Sequence, residues 1–333
     1  QRSAPGLVNG VLRNAVRTKG TLKQPTTLEI RYSHPQILID LLRGYVGEEN
    51  LEPMLAANND TPQTVVQVNT LRITTEELVQ KLAQEDVTAL PHSWMKDCLV
   101  LGSTGDIEHL TSFKEGLFYV QDISSMMVAE TAAPEKNSYI IDVCAAPGGK
   151  ALHMAELLCD TGHVEARDLT DYKINLIQEN ILRSGVTNME AVKWDATVLN
   201  EDSIGKADIV IADLPCSGLG VIGKKTDLKY KMTKETQGEL VNLQRQILSK
   251  VVDYVKEDGT LVYSTCTIHA GENMGNVHWL LQEYPQFELV PIEEFLCEDL
   301  KSSVKEEGCL QLLPGVHQSD GFFIAKFRKK SHK

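Results

Sequence analysis

Short apolar runs alternate with longer amphipathic segments from residue 139 onward. The short runs have the length of β-strands, and the longer segments carry apolar residues at helical spacing. Because strand–helix–strand units form right-handed crossovers, this alternation predicts an α/β fold with a mainly parallel sheet of seven strands. The predicted strands are residues 139–143, 163–167, 189–194, 207–212, 259–264, 286–291 and 321–327, and predicted helices include residues 171–184, 235–256 and 272–283.

The first 120 residues have a different pattern. Helical spacing over residues 30–57 and 75–83, with a strand pattern at 64–69, predicts a small α+β module. Residues 4–17 predict an amphipathic helix with little before it to pack on, as in the remnant of a larger helical domain. We therefore divide the chain into a helical remnant and linker (1–28), an α+β module (29–120) and an α/β domain (121–333).

The net charge of −13 argues against a protein that coats nucleic acid indiscriminately. Local basic clusters would have to make any phosphate contacts. Solvated surfaces or chain ends are the simpler interpretation of such runs, especially at the C-terminus. The clusters are Arg2, Arg13, Arg17, Lys19, Lys23 and Arg31; Lys224, Lys225, Lys229, Lys231 and Lys234; and the basic residues of segment 326–330.

The seven cysteines include no C-x-x-C pair, which argues against a zinc ribbon or a disulfide framework and favours a reducing compartment. No apolar run reaches the roughly 18 residues that a membrane span needs. Residues 1–3 (Gln-Arg-Ser) do not begin a secretory signal. We expect a cytoplasmic monomer with no metal site and no membrane partner.

Two cysteines follow predicted buried strands. Residues 213–218 (Asp-Leu-Pro-Cys-Ser-Gly) come after the strand at 207–212, and residues 263–267 (Tyr-Ser-Thr-Cys-Thr) end the strand at 259–264. The carboxyl ends of parallel strands are where α/β proteins bind ligands. Cys216 and Cys266 therefore predict thiol chemistry on a bound substrate, although small buried packing residues are the alternative.

The first strand of the α/β domain leads into residues 142–150 (Asp-Val-Cys-Ala-Ala-Pro-Gly-Gly-Lys). A glycine pair after the first strand lets the backbone approach a ligand closely. A P-loop would need Gly at position 144 and Ser or Thr at position 151, where this chain has Cys and Ala, and G-x-G-x-x-G is absent. This loop therefore predicts neither an ATP site nor a dinucleotide site.

Acidic residues at the ends of consecutive strands favour another ligand. Asp168 is placed to accept hydrogen bonds from ribose hydroxyls, and Asp195 from an adenine amino group. A helix N-cap or a turn is the alternative for either residue alone. Together they favour S-adenosylmethionine (SAM), which has ribose and adenine but no phosphate.

The motifs together resemble those of the RNA (cytosine-5)-methyltransferases, the family that includes Sun, Fmu and RsmB. The resemblance extends over essentially the whole chain and implies a Rossmann-like, SAM-dependent methyltransferase domain behind an RNA-binding module. Residues 7–13 are similar to the last helix of a NusB-like domain, which implies the RsmB branch and small-subunit (16S) ribosomal RNA as the partner. The matching segments are 31–35, 67–70, 120–125, 142–150, 213–220, 264–267 and the pair Glu272-Asn273.

The resemblance also implies roles for individual residues. Cys266 would be the nucleophile that adds to cytosine C6, and Cys216 would assist release of the methylated product. Asp213 would act on the N3/N4 edge of the base, with Lys150 in support. DNA cytosine-5 methyltransferases use the Pro-Cys cysteine instead, and spacing cannot decide between the two thiols. The implied cofactor residues are Cys144, Ala145, Ala146, Pro147, Gly148, Gly149, Lys150, Asp168, Asp195 and Asp213.

The sequence departs from the family pattern without losing a group that this chemistry needs. The departures are Gln67, Ala151, Gly223, Thr226 and Met274. Two other functions remain open at this point: the same methylation of transfer RNA, and a ribosome-assembly factor that binds RNA without turnover.

Overall fold

The computed structural model describes residues 4–21, 25–102 and 104–331. Residues 1–3 and part of the predicted linker lie outside the described residues. Arg2 and Lys23 of the N-terminal basic cluster are among the residues left out. Within the described ranges, no helix is both long and apolar enough to cross a membrane.

The described residues form thirteen α-helices and thirteen strands. The helices are α1 Ala4–Thr18, α2 Leu28–Tyr32, α3 Gln36–Val46, α4 Glu48–Ala57, α5 Thr75–Gln84, α6 Thr111–Lys114, α7 Ile123–Ala132, α8 Gly149–Leu157, α9 Asp171–Ser184, α10 Leu228–Lys231, α11 Lys234–Val251, α12 Met274–Glu283 and α13 Glu298–Lys301. The strands are β1 Thr64–Val68, β2 Thr88–Pro91, β3 Cys98–Gly102, β4 Phe118–Val120, β5 Tyr139–Asp142, β6 His163–Asp168, β7 Met189–Lys193, β8 Ala207–Asp213, β9 Val255–Thr265, β10 Phe287–Leu289, β11 Val304–Glu306, β12 Cys309–Leu312 and β13 Phe322–Lys329.

A small antiparallel sheet with the strand order β2-β3-β1-β4 lies in the N-terminal part of the chain. Helix α5 packs Leu78 and Leu82 against this sheet. The start of α5 is stabilised by a capping box, in which Thr74 and Glu77 satisfy each other's backbone N–H groups. The prediction of a small α+β module is confirmed.

A mixed sheet of nine strands forms the second core, with the order β11-β12-β13-β9-β8-β5-β6-β7 and β10 beside β13. Strands β5 to β9 run parallel, and β10 to β13 pair antiparallel. All seven predicted strands are present. The prediction of seven was too low because β11 and β12 are only three and four residues long, too short for a clear periodic pattern.

Three local differences from the predicted elements have physical causes. The helical stretch at 30–57 is divided at Gly47, whose φ of 79° closes α3 before α4 begins. The predicted helix 235–256 ends at Val251, because Val255 already pairs with Ala207 as the first residue of β9. The basic residues of segment 326–330 belong mainly to β13. Helix α1 is confirmed, and it has no buried residue.

Strands β5, β6, β8 and β9 end at the same edge of the large sheet, because they are parallel neighbours. Asp213 at the end of β8 is paired with Ser264 near the end of β9. The two cysteine loops and the loop at 142–150 therefore meet at this edge.

Candidate active site

The two cysteine side chains meet at this edge of the sheet. Their Sγ atoms lie 3.3 Å apart, although the residues are 50 positions apart in the chain. Both side chains are partly exposed, and Cys266 lines a cavity of about 390 Å³ together with the loop at 142–150. A thiol is thus open to a substrate that enters this cavity.

The surroundings of the two thiols favour a different protonation state for each. The hydrogen bond with Cys216 has the largest effect on the pKa of Cys266 and lowers it. Burial and the charge of Asp213 raise this pKa, and the charges of Lys225 and Lys150 lower it, so that the pKa is lowered overall. The same hydrogen bond, followed by burial, raises the pKa of Cys216 well above its usual value. When the pair loses a proton, these surroundings favour Cys266 as the thiolate and Cys216 as the thiol.

Lys150 and Asp213 form an ion pair beside the thiols. The Nζ atom of Lys150 donates to Oδ2 of Asp213 over 2.7 Å, and Ser264 Oγ donates to Oδ1 of Asp213 over 3.0 Å. Burial alone lowers the pKa of Lys150, but the charge and hydrogen bond of Asp213 outweigh it, so that the pKa is raised. Lys150 therefore stays charged next to the Cys266 sulfur.

The loop at 142–150 has a backbone conformation that depends on glycine. Gly148 directly precedes α8 and has a φ of 109°, a backbone angle that residues other than glycine rarely adopt. Pro147 follows a cis peptide bond, and its carbonyl accepts a hydrogen bond from Asn180. The N-terminus of α8 therefore lies at the wall of the cavity. The residues of this loop that line the cavity include Cys144, Ala145, Ala146, Pro147, Gly149 and Lys150. Burial raises the pKa of the Cys144 thiol, so Cys144 is not a second thiolate.

Asp168 and Asp195 lie at the predicted strand ends but have different surroundings. The carboxylate of Asp168 is buried, accepts a hydrogen bond from the Ala146 N–H over 3.0 Å, and pairs with Lys173. It therefore braces the glycine loop. Asp195 is exposed, and its carboxylate accepts hydrogen bonds from Thr197 in a tight turn, which lower its pKa. Neither Asp168 nor Asp195 is among the described residues that line the cavity.

Two further side chains belong to the cavity and were not among the predicted cofactor residues. Asp142 is buried, and burial raises its pKa to about 7. Its Oδ2 atom and the Oε1 atom of Gln121 have no hydrogen-bond partner among the described residues. The sequence signal was present, because Asp142 begins the loop motif and Gln121 lies in the matching segment 120–125. Each free oxygen is an acceptor for a polar ligand in the cavity.

The basic cluster after the Cys216 loop is only partly available for a substrate. Lys229 is buried and donates to Asn59, so it is not available for a phosphate contact. Lys224 donates to Asp122 and Asp320, over 3.0 and 2.7 Å. Lys231 pairs with Asp227 on the surface. Lys225 is exposed and lines the cavity next to Cys266.

Comparison with known families assigns the two parts of the chain. Residues 129–328 match the family described as 16S rRNA methyltransferase RsmB/F. Residues 34–108 match the ferredoxin-like domain of the same methyltransferases. The chain belongs to the RsmB/F methyltransferase family. It is therefore a methyltransferase. Several of the segments that match the family pattern contribute residues to the cavity at the sheet edge.

Relatives of the RsmB/F family cover most of the chain. A probable ribosomal RNA small subunit methyltransferase B from Bacillus subtilis is 36% identical over 97% of this chain and 73% of its own length. The ribosomal RNA small subunit methyltransferase F of Cronobacter sakazakii is 30% identical over 89% of this chain and 63% of its own length. A methyltransferase homolog protein from Pyrococcus horikoshii has the same fold, with a TM-score of 0.76, 28% identity and coverage of 91% and 97% of the two chains.

Proposed function

We propose that this protein transfers a methyl group from SAM to C5 of a cytosine in small-subunit ribosomal RNA. The observation that carries the proposal is the pair of sulfurs 3.3 Å apart, next to the Lys150–Asp213 ion pair, with Cys266 lining the cavity of the glycine loop. Two relatives that cover most of this chain are named small-subunit ribosomal RNA methyltransferases, which supports the choice of RNA.

The residues around the cavity fit SAM as the cofactor. The free, buried oxygen of Asp142 suits the ammonium group of the methionine portion, and the glycine loop allows close approach of the backbone. Asp168 and Asp195 would hold the ribose and the adenine from the neighbouring strand ends. Cys144 and the backbone of residues 145–149 would complete the site. When bound, SAM supplies an electrophilic methyl group to the reaction.

Cys266 would begin the reaction as a nucleophile. The C5 carbon of cytosine is a poor nucleophile until a thiolate adds to C6 and pushes electron density to C5. The lowered pKa of Cys266, caused by its hydrogen bond with Cys216 and by two lysines, supports this role. The new bond joins Sγ to C6, and the displaced electron pair lets C5 bond to the methyl group.

Asp213 and Lys150 would bind the N3/N4 edge of the base. A carboxylate accepts a hydrogen bond from the N4 amino group, and a proton held between Asp213 and Lys150 stabilises the charge that develops at N3. Their 2.7 Å contact beside the cavity supports this assignment.

Cys216 would act in product release. After methylation, C5 gives its proton to solvent water, the C5–C6 double bond re-forms, and the C6–S bond breaks with its electron pair returning to Cys266. Cys216 is held as a thiol, because its hydrogen bond to Cys266 and its burial raise its pKa. Its sulfur is 3.3 Å from the sulfur that must leave.

We further propose that the chain is organised as a helical segment with linker (1–28), an RNA-recognition module (29–120) and a catalytic domain (121–333). Lys225 would contact the RNA backbone near the target base, since it is exposed at the cavity. We also propose that the protein acts as a monomer. We also propose a cytoplasmic location, because small-subunit ribosomal RNA is the proposed substrate.

The test is methyl transfer from labelled SAM to small-subunit ribosomal RNA and to transfer RNA. Cys266→Ala should abolish labelling, and Cys216→Ala should trap a covalent RNA adduct that survives denaturing electrophoresis. Cys159→Ala, at an exposed cysteine outside the site, is the matched control and should retain wild-type activity. Labelling of transfer RNA alone would contradict the substrate, and labelling that survives Cys266→Ala would contradict the mechanism.

A further inference from the structure

A buried polar network lies behind the two thiols and includes a side chain outside every motif discussed above. Gln244, on α11, is fully buried. Its Nε2 atom donates to the carbonyl of Pro215 over 2.9 Å and to Oε2 of Glu272 over 2.8 Å. Its Oε1 atom accepts a hydrogen bond from Asn276 Nδ2 over 2.8 Å. Both ends of the amide are therefore occupied, which fixes its orientation.

Glu272 continues this network toward the Cys216 loop. Its side chain is fully buried, and the Oε2 atom that Gln244 contacts also accepts a hydrogen bond from the Ser217 N–H over 2.9 Å. A second link between the two cysteine loops is the 2.7 Å contact of the Ser217 and Thr267 hydroxyls. The loop after β8 is thus tied to the loop after β9 by buried side chains.

These hydrogen bonds flank a single residue. The carbonyl of Pro215 and the N–H of Ser217 lie immediately before and after Cys216, and both are held by the Gln244–Glu272 pair. The backbone that carries Cys216 is therefore held in place beside Cys266. The charge of Glu272 also raises the pKa of Cys216, although the hydrogen bond with Cys266 and burial have larger effects.

We propose that Gln244 is a positioning residue, which holds the backbone on both sides of Cys216 so that its thiol stays against the sulfur of Cys266 during product release. Gln244 does not line the cavity and contacts no reacting atom in the described structure, so it acts through Cys216. This inference rests on the proposed function, in which release removes the C5 proton, re-forms the C5–C6 double bond and returns the C6–S electron pair to Cys266.

The decisive variant is Gln244→Met, which keeps the length of the side chain and removes its hydrogen bonds. We expect adduct formation in a single turnover to stay within about two-fold of wild type, release to slow by ten-fold or more, and KM to be unchanged. Covalent RNA adduct should then accumulate, as with Cys216→Ala. Gln246→Met, at an exposed position of the same helix, is the matched control and should release product normally.

A double variant separates positioning from a general loss of structure. If Gln244 acts through Cys216, then Gln244→Met added to Cys216→Ala should slow release no further. Another ten-fold loss in the double variant would overturn the proposal, and so would equal slowing of adduct formation and release in Gln244→Met. Gln244→Glu keeps the acceptor and removes the donor, and it should show the same accumulation if Gln244→Met does not fold.

The proposed function and this inference fail in different ways. If Cys216→Ala traps no adduct on ribosomal RNA, the proposed mechanism is wrong and the role of Gln244 falls with it. If Cys216→Ala traps adduct but a folded Gln244 variant releases product at the wild-type rate, only the positioning role is wrong.

Discussion

The two cysteines of the site are chemically the same residue, and their neighbours make them different. Lys150 and Lys225 lie near Cys266 and stabilise a negative charge there. Glu272 and Asp213 are negative neighbours of Cys216 and oppose its ionisation, in addition to the hydrogen bond with Cys266 and burial. The lysines near Cys266 and Glu272 near Cys216 thus favour Cys266 as the proposed nucleophile, whereas Asp213 opposes ionisation of both thiols.

Asp142 is a residue at which we expect stability and ligand binding to conflict. Burial raises the pKa of its carboxyl to about 7, so the folded protein without ligand holds a proton that the unfolded chain releases above pH 4. The folded state binds more protons, and stability from this group is therefore lost as the pH rises from about 4 to 7. Asn resembles the protonated form, so Asp142→Asn should increase the free energy of unfolding at pH 8 by up to about 4 kcal/mol.

The measurement is denaturant unfolding of the ligand-free protein at pH 5 and pH 8, with SAM affinity by calorimetry. The stability gain should be much smaller at pH 5, and SAM binding should weaken because the free carboxylate oxygen is gone. Asp299→Asn, at an exposed position, should change stability by less than about 0.5 kcal/mol. An equal gain at both pH values would contradict the buried-carboxyl explanation.

At the scale of elements, the loop that follows β8 is held by close backbone contacts at Gly220. Its N–H donates to the carbonyl of Cys266 over 3.1 Å, and its carbonyl accepts from the Gly321 N–H over 2.8 Å. A Cβ atom at Gly220 would lie 2.0 Å from the carbonyl oxygen of Gly321. Glycine is needed here for space, because β13 and the loop approach each other directly.

Gly220→Ala should therefore push this loop away from Cys266. We expect a loss of about 1–3 kcal/mol in the free energy of unfolding, as for other overpacked sites, and a ten-fold or larger fall in methyl transfer. Gly238→Ala is the control, since position 238 of α11 is exposed and no atom lies within 4 Å of a Cβ there. It should raise stability by up to about 1 kcal/mol. Thermal unfolding and the methyl-transfer assay test both variants, and an unaffected Gly220→Ala would refute the close contact.

At the scale of the whole molecule, the small sheet is joined to the large one by buried polar contacts. Asn69, just after β1, donates to the carbonyls of Gly116 and Ser184 over 2.8 and 2.9 Å. Arg183 of α9 donates to the carbonyl of Phe118 in β4, and its guanidinium lies 4.0 Å from the ring centre of Phe113. The module at 29–120 is therefore fixed against the end of α9.

Asn69→Ala should loosen this junction. Two buried carbonyls lose their donor, which costs about 1–3 kcal/mol for each group left unsatisfied. We expect a lower denaturation midpoint and a smaller denaturant m-value, because the two parts unfold less cooperatively. Asn175→Ala, at an exposed position of α9, should leave both quantities almost unchanged. A wild-type m-value for Asn69→Ala would argue against coupling through this residue.

Prediction from sequence succeeded where the information is local. Apolar periodicity identified each of the seven strands, including β8 and β9, and the parallel arrangement predicted that Cys216 and Cys266 would share one edge. It failed where partners come from distant segments. Lys229 has a basic, surface-like sequence context, yet it is buried against Asn59, which is 170 residues away. The ion pairs of Lys224 with Asp122 and Asp320 could not be predicted from the sequence either.

The sequence by itself determined the class of fold, the loop at 142–150 with its glycines and the two cysteines at strand ends, because backbone conformation and side-chain periodicity are set by residues close together in the chain. Only the tertiary structure decided the rest: the 3.3 Å contact of the sulfurs, the Lys150–Asp213 pair beside them, and the Gln244–Glu272 support behind them. Each depends on loops and helices that meet only when the sheet is complete. Charge interactions and buried hydrogen bonds act over a few ångströms in space, whatever the separation in sequence.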